Sequence, residues 1–172
     1  MDILSFLLGK NSSGGGGGSK YAPQFATFRN YTGTDLTYET KNLDTSNMTS
    51  MATMFYSCTT LTTFDLSNFN TTNVTDMGAM FQGCMSLTEI DASSFITTNV
   101  EKFDGMFSSC FGINKIDIRQ LTFKNGATIN YMFSSVPDNC LIIVKSDTEK
   151  TKILNEFSNL TNVKTVSEYE GV

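Results

Sequence analysis

The chain has 172 residues, 40% of them apolar, and a formal net charge of −5. That length suits one domain, and an acidic balance without any basic run argues against nucleic acid or an anionic membrane surface as partner. Histidine is absent, which removes any His-based general base, catalytic triad or His-ligated metal.

Residues 1–11 open with an apolar strip made of Ile3, Leu4, Phe6, Leu7 and Leu8. The strip is far shorter than the roughly 20 residues of a membrane span, so no span is expected. Asp2 stands where a signal peptide would be basic, and no small-residue cleavage site follows, so the strip is not expected to direct export. A helix this short is marginal in water by itself. One reading is a strip packed on its own domain or without fixed structure. The other is a docking peptide for a larger protein assembly. Residues 12–20 form a Gly-rich linker containing five consecutive glycines, a flexible coil with a reach of roughly 16 Å. A tether has a use only between separate bodies, which brings the docking reading forward.

The next stretch carries a repeat. Met54-Phe55 with Cys58 recurs 26 residues on as Met80-Phe81 with Cys84, and again as Met106-Phe107 with Cys110. One further step gives Met132-Phe133, with Val136 in place of the cysteine. Asn47, Asn73, Asn99 and Asn125 keep the same spacing, as do Leu61, Leu87 and Ile113, and Phe64, Ile90, Ile116 and Ile142. A fixed period between about 20 and 50 residues marks a stacked-repeat architecture. Residues 21–41 read as a degenerate opening coil, in which Tyr38 and Glu39 hold the places of Phe64 and Asp65. Terminal repeats are atypical because they cap the stack.

Each regular coil has two parts. In residues 61–66, apolar Leu61, Phe64 and Leu66 alternate with polar residues, which predicts a short strand with one buried face. In residues 73–84, Val74, Met77, Met80, Phe81 and Cys84 follow helical spacing. Asn73 or Thr75 is placed to cap a helix there, with Asp76 favourable in its first turn. The expected fold is therefore an α/β solenoid over residues 21–145, with one short parallel strand and one short helix per 26-residue coil. Neither part can bury its apolar face alone, and stacking solves the problem. Ser146 to Glu149 reads as a capping box that opens a C-terminal cap over residues 146–172. Ile153, Leu154 and Phe157, then Leu160, Val163 and Val166, would plug the open end.

Cys58, Cys84 and Cys110 share one phase and should lie about 5 Å apart on adjacent coils. They read as small buried hydrophobes, since Val136 replaces the fourth, and their spacing lacks the paired pattern of zinc sites. The asparagine column reads as structural, bonding backbone groups at a turn or on the neighbouring coil. The outward face of the sheet is the candidate ligand-binding surface. One of its columns runs Thr37, Thr63, Glu89, Lys115, a second runs Glu39, Asp65, Asp91, Asp117, and a third ends at Arg119. Like charges on adjacent strands are unfavourable, so the acid column marks either a solvated face or a surface for a polyhydroxylated or cationic ligand. Weak Ca²⁺ coordination is the only metal chemistry such oxygens would offer, and no metal or cofactor is expected. No P-loop, dinucleotide-binding glycine motif, nucleophile elbow or zinc motif is present, so an enzyme is not expected.

The run from Leu61 to Cys84, Leu-x-x-Phe-Asp-Leu-Ser-Asn-Phe-Asn-Thr-Thr-Asn-Val-Thr-Asp-Met-x-x-Met-Phe-x-Gly-Cys, resembles the BspA-like bacterial surface repeat, a leucine-rich-repeat variant. The resemblance covers residues 43–144, and residues 143–171 look like the closing segment of such arrays. It implies a curved, right-handed coil stack used for adhesion to host proteins, glycans or other cells, with no catalytic residues to carry over. Surface members of that family carry a signal peptide and a wall anchor and are often much longer. A short apolar start, a glycine tether and a compact module look more like a phage virion accessory protein, a fibre or decoration protein. Its residues 1–11 would dock on a capsid or tail, and its repeat domain would face the host. The alternatives are a bacterial cell-surface or secreted adhesin and a particle-stabilising spacer without ligand.

Overall fold

The structure is a computed structural model that describes residues 27–171. The docking strip, with Ile3, Leu4, Phe6, Leu7 and Leu8, and the glycine linker lie outside the described residues. So does the start of the opening coil.

A parallel four-stranded sheet with few helices organises the chain, an arrangement compatible with an α/β repeat architecture. A short helix, α1 (Thr37–Lys41), comes first. Strands β1 (Glu89–Asp91), β2 (Lys115–Ile118) and β3 (Leu141–Val144) follow. Helix α2 (Asp147–Glu156), strand β4 (Val163–Thr165) and helix α3 (Val166–Glu170) close the chain. The sheet order is β1-β2-β3-β4, all parallel. Ile90 pairs with Ile116 and Ile116 with Ile142, so the strand partners keep the spacing of the sequence repeat. All three are buried against one continuous apolar core.

The helix expected in each coil is absent. Residues 51–58, 77–84, 103–110 and 129–136 are wound as successive turns. Within 77–84, the N–H groups of Met80, Gln82 and Cys84 each donate to the carbonyl three residues back. Ala79 and Gly83 then take left-handed backbone angles, with φ of 53° and 77°. The same two positions are left-handed in the other segments, at Thr53 and Ser57, Gly105 and Ser109, and Tyr131 and Ser135. A left-handed residue ends helical propagation, and here it turns the alternate N–H groups toward the neighbouring segment. Thr53, Phe55 and Ser57 donate to Gly78, Met80 and Gln82 at 2.9, 2.8 and 2.7 Å. Ala79, Phe81 and Gly83 do the same to Asp104, Met106 and Ser108. Gly105, Phe107 and Ser109 do it to Asn130, Met132 and Ser134. Two residues of a turn thus bury apolar side chains at i and i+3, which mimics helical spacing, while the backbone bonds between segments instead of within one.

The rings of Phe55, Phe81, Phe107 and Phe133 stack through these turns, with centroids 5.4, 5.8 and 5.5 Å apart. Phe28 adds a fifth ring, 5.4 Å from Phe55. It sits 27 positions before Phe55 rather than 26, which is why the repeat alone does not point to it. At the other end Phe157 meets Phe133 edge-on at 87°. Phe64 lies over both Phe55 and Phe81, at 5.5 and 5.7 Å, and so joins the sheet side to the turn side.

Two further expectations are corrected. Residues 61–66 form no strand, and their one β-type pairing with the preceding segment is an isolated bridge between Asp35 and Thr63. Helix α1 stands where a pairing strand would be, and the Thr40 hydroxyl takes the Asp65 N–H at 2.8 Å. Val163, expected as part of a plug, instead extends the sheet as β4, pairing with Ile142. Ser146 caps α2 by accepting the Thr148 N–H, and its hydroxyl donates to the Glu149 carboxylate.

Candidate functional site

The recurring spacing of side chains builds three columns that bond one segment to the next, those of threonine and cysteine buried and that of asparagine exposed. Thr45, Thr71 and Thr97 are buried. Each hydroxyl accepts one N–H and donates to the carbonyl of the same residue on the next segment. Thr71 does this to Ile96 at 2.7 and 2.9 Å, and Thr45 and Thr97 do it to Asn70 and Thr122. This column keeps the 26-residue spacing but escaped the sequence reading, because threonine is abundant and unremarkable in a polar stretch. The asparagine column bonds across segments: Asn73 donates to the Ser46 carbonyl and Asn99 to that of Thr72. The cysteines are free and buried. Cys58, Cys84 and Cys110 donate their S–H to the carbonyls of Phe28, Phe55 and Phe81 at 3.1, 3.1 and 3.2 Å. They are therefore weak donors as well as small hydrophobes. Burial pushes the Cys110 thiol up to about 12 and that of Cys140 up to about 11.

The sheet-face residues separate into distinct groups. Thr63, Asp65, Glu89 and Asp91 line one cleft of about 360 Å³, together with Thr62, Ser67, Ser93 and Ser94. Neither lysine nor arginine lines it. Asp65 and Asp91 each use one carboxylate oxygen to accept the N–H two residues on, from Ser67 at 2.8 Å and Ser93 at 3.0 Å. Such a turn ends the strand-like stretch locally. The Ser67 hydroxyl and amide also hold the Asp65 carboxyl below its ordinary value. Glu89 is exposed and pairs across the strands with Lys115, which stands outside the cleft.

Asp117 and Arg119 form a separate cluster. Arg119 binds the Asp117 carboxylate through Nε and Nη2, the latter at 2.6 Å, and reaches Glu170 of α3 through Nη1 at 2.8 Å. Its guanidinium lies 5.9 Å from the Tyr169 ring centroid. Asp117 is buried. These two residues fasten the C-terminal helix to the sheet and are withdrawn from the face that sequence reading assigned them to. Glu39 is also displaced: it lies in the first turn of α1, and Thr37 starts that helix. Both were placed on the sheet by subtracting a full repeat, and the helical insertion breaks that register.

Among the described residues, no group of three or more His, Cys, Asp or Glu is arranged to hold a metal ion. No helix among them is long and apolar enough to cross a membrane.

The parallel sheet, the bonded turn segments and the recurring side-chain columns are compatible with the class of α/β repeat proteins. Residues 24–142 match the family described as Mycoplasma protein of unknown function, DUF285. The chain belongs to this family, which is related to the BspA-like repeats. Neither a curated protein nor a solved structure matches it.

Proposed function

We propose that the protein is a non-enzymatic binding module built as a right-handed, leucine-rich-repeat-like solenoid and displayed on a phage or prophage virion as a fibre or decoration protein. Residues 1–11 dock on the particle, residues 12–20 are the tether, and the repeat domain meets a host surface protein or glycan. The observation that carries the binding role is the cleft lined by Thr63, Asp65, Glu89 and Asp91. It gathers carboxylates and hydroxyls without a neutralising lysine or arginine, an arrangement that suits a hydroxyl-rich or cationic ligand. Repeat proteins present such surfaces as a matter of course.

The test is binding of the full chain to host cells or purified cell walls, with the double variant Glu89→Gln, Asp91→Asn as control. Loss of binding in the variant, with unchanged thermal stability, supports this reading. Equal binding by both proteins removes the cleft from it.

A second reading has its own support. Asp65 and Asp91 each spend one oxygen on a turn, and Asp117 is closed by Arg119. Acids used this way also suit a structural spacer on a particle, for which no ligand would be found. A bacterial surface adhesin would use the same cleft and is separated by location, on the cell instead of the virion.

A further inference from the structure

The bonding between turn segments stops at the last one. In 129–136, the residues equivalent to the donors of the earlier segments are Tyr131, Phe133 and Ser135. Their N–H groups have no acceptor among the described residues. They line a second cleft of about 580 Å³, whose other wall is formed by Glu156, Phe157 and Asn159 at the end of α2. Of these three residues, Phe133 is buried and Tyr131 and Ser135 are exposed.

Tyr131 is the second unusual feature. Its equivalents in the earlier segments are Thr53, Ala79 and Gly105, none of them aromatic. Tyr131, at φ 57°, is the one aromatic residue among the left-handed positions of the described residues. The ring is 73% exposed beside the unpartnered donors.

The bonding pattern selects the ligand chemistry. The carbonyls of Tyr131 and Phe133 are taken by turn bonds from Ser134 and Val136. Those of Asn130, Met132 and Ser134 accept from Gly105, Phe107 and Ser109. Along this edge the three backbone N–H donors are open, while the carbonyls of residues 130–134 are already bonded. An added peptide strand needs both donors and acceptors from its neighbour, so it would leave its own N–H groups unpaired. An anion is disfavoured by the exposed Glu156 carboxylate and by the net charge of −5. A sugar fits: hydroxyl oxygens accept from the backbone N–H groups, and hydroxyl protons go to Glu156 and to the Asn159 carbonyl. The Asn159 amide nitrogen is already bonded to Asp138 at 2.7 Å. The Tyr131 ring gives the apolar face of a pyranose a platform, and the cleft has the size of an ordinary small-ligand site.

We propose that this cleft is a carbohydrate site for a neutral oligosaccharide, separate from the sheet-face cleft. Tyr131 stacks on one ring, the N–H groups of Tyr131, Phe133 and Ser135 bind its oxygens, and Glu156 accepts from its hydroxyls. The experiment is an amide-resolved NMR titration of the full chain with maltotriose, cellotriose, mannotriose and chitotriose at millimolar concentration, and with inorganic sulfate as the anion control. At least one trisaccharide shifts the three amides together. Tyr131→Thr, which copies the residue at position 53 and so keeps the turn, weakens that trisaccharide about tenfold, the size of an aromatic stacking contribution. Glu156→Gln, at an exposed position, weakens it as well. The proposal is overturned if no trisaccharide moves these amides, if sulfate alone moves them, or if Tyr131→Thr binds as tightly as the parent.

Discussion

Replacing Gly105 by alanine discriminates between turn-wound segments and helices by the sign of one free energy. Gly105 has φ 65°, and an added Cβ would lie 3.5 Å from the Gln82 Oε1 and 3.9 Å from the Ser108 Cβ. Both are ordinary contacts, so sterics contribute little and the backbone decides. A non-glycine residue in the left-handed region costs about 1–2 kcal/mol. The smaller conformational entropy of the unfolded alanine chain returns about 0.4–1 kcal/mol. The net expectation is a loss of about 1 kcal/mol, or about 2–4 °C in Tm for a chain of this size. Urea denaturation of Gly105→Ala beside the parent measures it. In a helix interior the same change would stabilise by about 1 kcal/mol. A gain of that size would refute the turn-wound segments.

Other outcomes follow from the same packing. Phe81 is fully buried between Phe55 and Phe107, so Phe81→Ala should cost about 3–5 kcal/mol in denaturant titrations. Thr71→Val keeps the shape but strips the hydroxyl from the Ile96 N–H and carbonyl. It should cost about 1–3 kcal/mol, whereas the exposed Thr72 changed to valine should cost little. The thiols should resist Ellman's reagent in the native protein and all four should react on unfolding. Because folding raises the thiol values of Cys110 and Cys140, their contribution is complete below about pH 8.5, the unfolded value. It is lost as the pH rises toward about 12 and about 11 respectively, and urea midpoints measured upward from pH 8 should fall accordingly.

The repeat, the aromatic column and the buried cysteines could be read from the spacing of Met, Phe and Cys, because every copy needs the same core atoms. The backbone path could not. A turn that puts Met77, Met80, Phe81 and Cys84 inside satisfies the same periodicity as a helix, and only Gly83 and Gly105 hinted that left-handed angles were required. Ala79, Thr53 and Tyr131 occupy those angles without being glycine, so the signal was diluted. The sheet-face cleft was half legible. Thr63, Asp65, Glu89 and Asp91 come together as their columns require. Glu39 fails because α1 interrupts the register, and Asp117 and Arg119 fail because their partners, Glu170 and Tyr169, come from the far end of the chain. The second cleft had no sequence signature. It arises where the stack of segments ends, and its donors are backbone groups that every residue carries.

Native-state hydrogen exchange, resolved by residue, addresses both the stacked segments and their open end. The amides of Phe55, Ser57, Phe81, Gly83, Phe107 and Ser109 donate between segments and should exchange only with global unfolding. Those of Tyr131 and Ser135, at the same positions of the last segment, should exchange orders of magnitude faster. Uniformly fast exchange at the first six would contradict the bonding between segments, and equal protection of Tyr131 and Ser135 would contradict an open end.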